Sequence, residues 1–262
     1  MTTPKKSLGQ HWLDDVEALE AITEYAEIRH TDTVLEIGPG LGSLTSYLVG
    51  QAKHVIAIEL DEQLAKALPG RVPASNLQVI RADILRFNLE ELPTNYKVVA
   101  NIPYYLTSNL LRHLSESANP PHLMVLLVQE EVAKRICAQP GQMSVLGVSV
   151  QLYYEAELGI KLPAELFDPP PKVDSQVVIL TRHSKPLFHE LDTKRFFRVV
   201  KAGFSERRKK LRGSLSGGLG ITKDQADRLL KEAGVSGDLR AQELSLQDWH
   251  KIYLSLPRPK DT

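Results

Sequence analysis

The chain has 262 residues, 42% of them hydrophobic and 24% charged, which admits one large folded domain with a small appended one and excludes a disordered or low-complexity class. No apolar run approaches the roughly 20 residues of a bilayer span, the start MTTPKKSLGQHW lacks the apolar stretch of a secretory signal, and a single cysteine, Cys137, excludes an internal disulfide and a cysteine-based zinc cluster. The net charge of zero hides a segregation: residues 1–181 carry 14 basic and 22 acidic side chains, a net −8, whereas residues 182–215 carry 11 and 3, a net +8, so the later region is suited to a polyanion.

Residues 15–28 place Val16, Leu19, Ile22 and Ala26 at helical spacing and predict an amphipathic helix behind a polar arm. Residues 33–37 form a short apolar strand, GPGLG follows at once, and 43–49 is the helix that this loop opens. Residues 54–58 are a second strand, ending at Glu59. Further strands are predicted at 77–80, 97–100, 123–128 and 177–181, with helices at 62–68, 108–115, 131–138 and 145–154 between them. The alternation predicts an α/β fold with a mostly parallel sheet, helices on both faces and ligands at the carboxyl ends of the strands. Beyond Leu187 only helices are predicted, at 193–202, 205–215, 223–233 and 245–256. A polar, proline-containing linker at 183–188 divides the chain into a domain over 1–185 and a small all-helical domain over 186–262.

Gly38, Gly40 and Gly42 stand between a strand and a helix, where glycine lets the backbone turn tightly and approach a ligand. Ser43 occupies the place of the third glycine of a dinucleotide fingerprint, so the spacing is GxGxG and argues against a nicotinamide enzyme. Glu59, at the end of the next strand, is placed to accept hydrogen bonds from both hydroxyls of a ribose. Asp83, in RADIL after a third strand, is placed to accept one from an adenine amino group.

Asn101-Ile102-Pro103-Tyr104 follows the strand KVVA, at the carboxyl edge of the same sheet. An adenine amine is a poor nucleophile because its lone pair is delocalised into the ring, and an enzyme must orient it and stabilise the charge that develops. The Asn101 side-chain oxygen and the carbonyl of Ile102 or Pro103 suit the two amine hydrogens, and Tyr104 offers a face on which an extruded base stacks.

With VLEIGPGLG, AIELD, AD and NIPYY in order, the chain resembles the ribosomal RNA adenine dimethyltransferase family, whose bacterial members act on small-subunit RNA. LGQHWLDD is similar to the family's N-terminal cofactor arm, FDPPPKVDSQVV to its late loop and strand, and FSERRKKLRGSL to the first basic stretch of its helical domain. The resemblance implies a Rossmann-like class I methyltransferase sheet followed by a helical RNA-binding domain. It implies contacts to S-adenosylmethionine from His11, Leu13, Gly38, Gly40, Glu59, Asp83 and Asn101, although the family commonly has Asn where His11 stands. Asn101, Pro103 and Tyr104 become the catalytic set, Phe167 a second surface stacked on the target base, and Arg208 and Arg212 the phosphate contacts on one side of the predicted helix 205–215.

The implied reaction is transfer of two methyl groups to each of two adjacent adenosines near the 3′ end of small-subunit ribosomal RNA, during maturation of that subunit. A cytoplasmic monomer without metal is expected, its partners being this RNA and the immature small subunit. Two other readings share the fold. A relative that methylates large-subunit RNA and confers antibiotic resistance is disfavoured by FDPPPKVDS and RRKKLRGSL. A ribosome-assembly or transcription factor that needs no turnover is disfavoured by the intact NIPY.

Overall fold

A computed structural model describes residues 9–257; the start of the polar arm and the last five residues of the predicted helical domain lie outside them. In chain order the elements are β1 (Trp12–Leu13), α1 (Val16–Tyr25), β2 (Thr33–Ile37), α2 (Ser43–Gln51), β3 (His54–Glu59), α3 (Glu62–Arg71), β4 (Leu77–Arg81), β5 (Lys97–Asn101), α4 (Thr107–Glu116), β6 (Leu123–Gln129) and α5 (Glu130–Ile136). They continue with α6 (Val145–Gln151), β7 (Tyr154–Leu162), β8 (Phe167–Asp168), β9 (Ser175–Arg182), α7 (Thr193–Phe204), α8 (Leu211–Leu219), α9 (Lys223–Ala233) and α10 (Leu246–Leu254).

Seven strands form one sheet in the order β4-β3-β2-β5-β6-β9-β7. β4 to β6 are mutually parallel, and β9 runs antiparallel to both of its neighbours. The chain leaves β2 toward β3 and β4, then returns to add β5 and β6 on the other side. This reversal opens a crevice at the carboxyl ends of β2 and β5, where such sheets hold ligands. The central strands are apolar almost throughout because helices cover both faces: Val34, Leu35, Val98, Val99 and Val125 are fully buried.

The strand β7 replaces the end of the predicted helix 145–154, which stops at Gln151. Its sequence YEAELGIKL alternates polar and apolar residues as an edge strand does, and its register slips between Leu158 and Lys161. A second departure concerns the predicted helix 205–215. α7 ends at Phe204, residues 205–209 form turns, and α8 starts only at Leu211. Between Phe204 and Leu211 the chain has no apolar residue to hold a helical turn against a core, so the connection is free to change direction.

The chain divides into two compact units that are not contiguous in sequence. Residues up to Lys134 and Tyr154–Arg182 make the first; Arg135–Tyr153 and the residues from His183 onward make the second. This differs from the boundary expected near residue 185, because α6 goes with the later helices. Met143, Val148 and Leu152 are buried in one apolar cluster with Phe196, Val199, Leu211, Leu215, Leu230, Trp249 and Ile252. No helix among the described residues is long and apolar enough to cross a membrane.

Candidate active site

A cavity of about 230 Å³ lies in the first unit, at the crevice set by the strand order. Its wall is built from the ends of four strands and from the chain around β1. The loop after β2 contributes Gly38 and Gly40 to the wall, with left-handed φ of 68° and 59°, and Gly42 follows at φ 94°. A side chain at Gly42 is excluded twice over. Its φ is left-handed, and a β-carbon there would stand 2.7 Å from Leu68 and 2.9 Å from Val72. The helix α2 therefore starts close against α3, with its first turn toward the cavity.

Glu59 ends β3 and is 5% exposed. Its Oε2 accepts the Gly40 N–H at 3.2 Å and its Oε1 the Asp61 N–H at 2.8 Å. Burial raises the pKa of this carboxyl, with the Asp61 and Gly40 N–H groups opposing the rise. The carboxylate ties the glycine loop to β3, and each oxygen keeps a further lone pair for a ligand hydroxyl. Asp83 is on the same wall, where its Oδ1 also accepts the Leu85 N–H at 3.0 Å.

Asn101 ends β5, and its Nδ2 donates to the backbone carbonyl of His11 at 3.0 Å, across 90 positions of sequence. A carbonyl only accepts, so this bond fixes the amide orientation and leaves Oδ1 as the acceptor available to a ligand. The Pro103 carbonyl accepts the Leu106 N–H at 2.9 Å. The Tyr104 hydroxyl is 2.9 Å from Ser175 Oγ, and burial raises its pKa. Its ring stacks on His11, with centroids 5.8 Å apart and 22° between planes.

His11 is held in turn by Pro169, whose carbonyl lies 2.6 Å from Nδ1. That contact requires the proton on Nδ1, so in the neutral ring Nε2 is the acceptor. Beside it β1 pairs antiparallel with β8, Trp12 opposite Asp168 and Leu13 opposite Phe167. Leu13 lies on the cavity wall. Phe167 does not. It is 4% exposed and packed among Leu13, Leu19, Val125 and Val177, so the expected stacking on a base from this side chain is replaced by core packing. The two-residue pairing of β1 and β8 sends its side chain inward.

His11, Leu13, Gly38, Gly40, Glu59, Asp83, Asn101, Pro103 and Tyr104 thus share one wall. Arg208 and Arg212 belong to the second unit. Arg208 is exposed in the turn between α7 and α8. Arg212 lies in α8 and is paired internally, with Asp238 and, at 3.9 Å, with Asp227.

Two wall residues were missed by the sequence reading. Glu36 lies inside the buried strand β2, is 1% exposed and has an Oε2 with no hydrogen-bond partner; burial, with the Glu59 charge adding to it, pushes its pKa up to about 8. A charged residue inside an otherwise apolar strand was the available signal, because such a group is costly unless it serves a ligand or a partner. Trp12 has a buried indole N–H without a partner, and its ring lies 3.2 Å from where a β-carbon on Gly40 would stand.

Residues 1–257 match the sequence profile of the ribosomal RNA adenine dimethylase family. The chain is 41% identical over 254 residues to a ribosomal RNA small subunit methyltransferase A of Dehalococcoides mccartyi, covering 95% of this chain and 87% of that relative. It is 39% identical over 265 aligned positions to the protein of that name from Streptococcus equi subsp. zooepidemicus, covering 95% and 91%. Among solved structures it is similar to the 23S rRNA methyltransferase ErmE, with a TM-score of 0.76 and 29% identity over 94% of this chain and 99% of that one. A dimethyladenosine transferase from Plasmodium falciparum gives a TM-score of 0.81 and 26% identity over 93% and 96%.

Proposed function

Since the chain belongs to the ribosomal RNA adenine dimethylase family, we propose that it uses S-adenosylmethionine to dimethylate the N6 amines of two adjacent adenosines near the 3′ end of small-subunit ribosomal RNA. The observation that carries this reading is the position of NIPY. Asn101 and Tyr104 share a cavity wall with the glycine loop and Glu59, so an adenine amine and a nucleoside cofactor fit one enclosure. The small subunit is favoured over the large one because the relatives near 40% identity are named for it, whereas the structure named for 23S RNA is 29% identical.

The wall suits such a cofactor. Glu59 keeps lone pairs for two ribose hydroxyls, Asp83 an acceptor for an adenine amine, and the orphaned Glu36 Oε2 and Trp12 N–H are polar groups that a ligand's own polar atoms would satisfy. Bound there, S-adenosylmethionine supplies a methyl group on a positively charged sulfur. Asn101 Oδ1 accepts one hydrogen of the target amine. The carbonyl of Ile102 or of Pro103 accepts the other, the latter already taking the Leu106 N–H on one of its two lone pairs. Holding both hydrogens in the ring plane turns the nitrogen lone pair toward the methyl group, and these oxygens stabilise the positive charge that grows on nitrogen. The proton then leaves to solvent. Tyr104 supplies the stacking face, braced by its bond to Ser175 and by His11.

The second unit serves as the RNA-holding part. The ion pairs of the described residues involve none of Lys194, Arg198, Lys201, Arg207 and Arg208, all of them exposed. Lys194, Arg198 and Lys201 follow one another at helical i, i+4, i+7 spacing along α7, and form the face offered to phosphates. In the cell the partner on this reading is the maturing small subunit, in the cytoplasm. Incubating the protein with methyl-labelled cofactor and separated ribosomal subunits, then mapping the labelled nucleotides, tests the whole proposal. Label in two adjacent adenosines of the small-subunit RNA is expected; label in large-subunit RNA, or none, rejects it.

A further inference from the structure

Tyr105 is the most exposed large aromatic or aliphatic side chain on the cavity wall. It is 61% exposed, while its neighbour Tyr104 is half-buried and bonded to Ser175. One edge of its ring, at Cδ1 and Cε1, passes 3.5 Å from where a β-carbon on Gly9 would stand, close to Pro103. The ring therefore lies beside Gly9 and Pro103 on the cavity wall. A single exposed ring is ordinary on a protein surface, but this one lines the cavity wall next in sequence to Tyr104, where its open face can take a flat aromatic occupant. Bases in a single strand stack on each other, and drawing one of them against Tyr104 strips its neighbour of a stacking partner. Tyr105 stands next in the chain, in the same turn of 3-10 helix, Tyr104–Leu106, on the same wall but with most of its surface open to solvent.

On the reading given under Proposed function, on which this rests, we infer that Tyr105 is a stacking platform for the base adjoining the one held at Tyr104, a second purine subsite on the cavity wall. The subsite holds the adjoining adenosine beside the one that reacts. Its ligand class is a purine nucleotide in a flexible single strand. Recognition is by the flat face, so an aromatic residue at position 105 is what matters and the phenol oxygen is dispensable.

The test is a cycle between protein and RNA. End-labelled RNA with two adjacent adenosines, and the same RNA with one of the two bases removed to leave an abasic sugar, are titrated with the full chain and with Tyr105→Ala, Tyr105→Leu and Tyr105→Phe. Tyr105→Ala and Tyr105→Leu are expected to weaken binding of the intact RNA roughly 5- to 100-fold, as loss of one base–aromatic stack does. Tyr105→Phe keeps the affinity. On the abasic RNA all four proteins bind alike. Calorimetry with S-adenosylmethionine is expected to give one cofactor affinity for all four. Equal weakening on both RNAs, or weakening that follows a loss of cofactor affinity, would show that Tyr105 only orders the chain around Gly9 and overturns the inference, as does Tyr105→Ala binding intact RNA normally. The affinities do not depend on turnover. Methyl transfer to small subunits by the unaltered chain is measured alongside, and its failure rejects the reading beneath without altering the outcome of the cycle.

Discussion

Asn101 has two tasks on different atoms. Its Nδ2 fastens the chain at His11, which leaves Oδ1 of this wall residue as its acceptor for a ligand. Asn101→Ala is therefore expected to abolish methyl transfer and also to cost about 0.5–1.5 kcal/mol of stability for the lost hydrogen bond, with RNA affinity kept. A turnover assay with a thermal melt checks both; near-normal turnover would remove Asn101 from the mechanism. Glu59→Gln keeps the size of the side chain but loses the charge that strengthens ribose hydrogen bonds. The expected result is a cofactor Kd raised by about one to two powers of ten, since such bonds contribute roughly 1.5–3 kcal/mol. An unchanged Kd by calorimetry would move the ribose elsewhere.

Glu36 makes a pH prediction. Its pKa is raised from 4.5 to about 8 by burial, so between these values the folded chain holds a proton that the unfolded chain releases. Stability from this group is full below pH 4.5 and is lost as pH rises to about 8, with a slope of at most about 1.4 kcal/mol per pH unit. Glu36→Gln removes the titration, so the melting temperature of the variant should gain on that of the parent as pH rises through this window. Parallel curves would show that Glu36 is ionised throughout.

At the scale of elements, the ammonium of Lys97 on β5 sits 2.9 Å from Asp32 and donates to the carbonyls of Ala26 and Glu27 at the end of α1. Burial opposes ionisation of Asp32, yet the Arg29 N–H and Lys97 hold its carboxyl below its ordinary range. Lys97→Met strands these acceptors and should cost about 3 kcal/mol in urea unfolding. The basic residues of α7, α8 and the turn between them are of two kinds. Lys209 pairs with Glu206, and Lys210 and Arg212 pair with Asp238, whereas Lys194, Arg198 and Lys201 pair with no carboxylate among the described residues. Neutralising those three should flatten the salt dependence of RNA binding by ~0.7–0.9 for each lost phosphate contact. Arg212→Ala should leave that slope alone and lower the melting temperature. The reverse pattern would return the RNA footprint to α8.

For the whole molecule, the interleaved units forbid a cut where the sequence invites one. A fragment of residues 1–185 would carry Met143, Val148 and Leu152 without the helices that bury them, and residues 186–262 would lack those side chains in their own core. Neither fragment is expected to unfold cooperatively in urea, where the intact chain should. Clean two-state unfolding of 186–262 alone would show that α6 is dispensable to the second unit.

The chemistry of the site was legible because its carriers are local. A strand followed by GPGLG, a strand ending in Glu59 and a strand running into NIPY each place their residues at a strand's carboxyl end, whatever the rest of the chain does, since side-chain period and turn chemistry act over a few positions. The break after Phe204 was in principle as local, being a run of polar residues without an apolar anchor, but the high charge resembled an exposed helix. Tertiary structure alone decided the matters where the deciding contact came from far away in sequence. It set Asn101 against His11, turned Phe167 into the core by pairing β1 with β8, and assigned α6 to the second unit. Glu36 belongs with these: its place in β2 is written in the sequence, but its raised pKa follows from the helices and strands that shut water away from it.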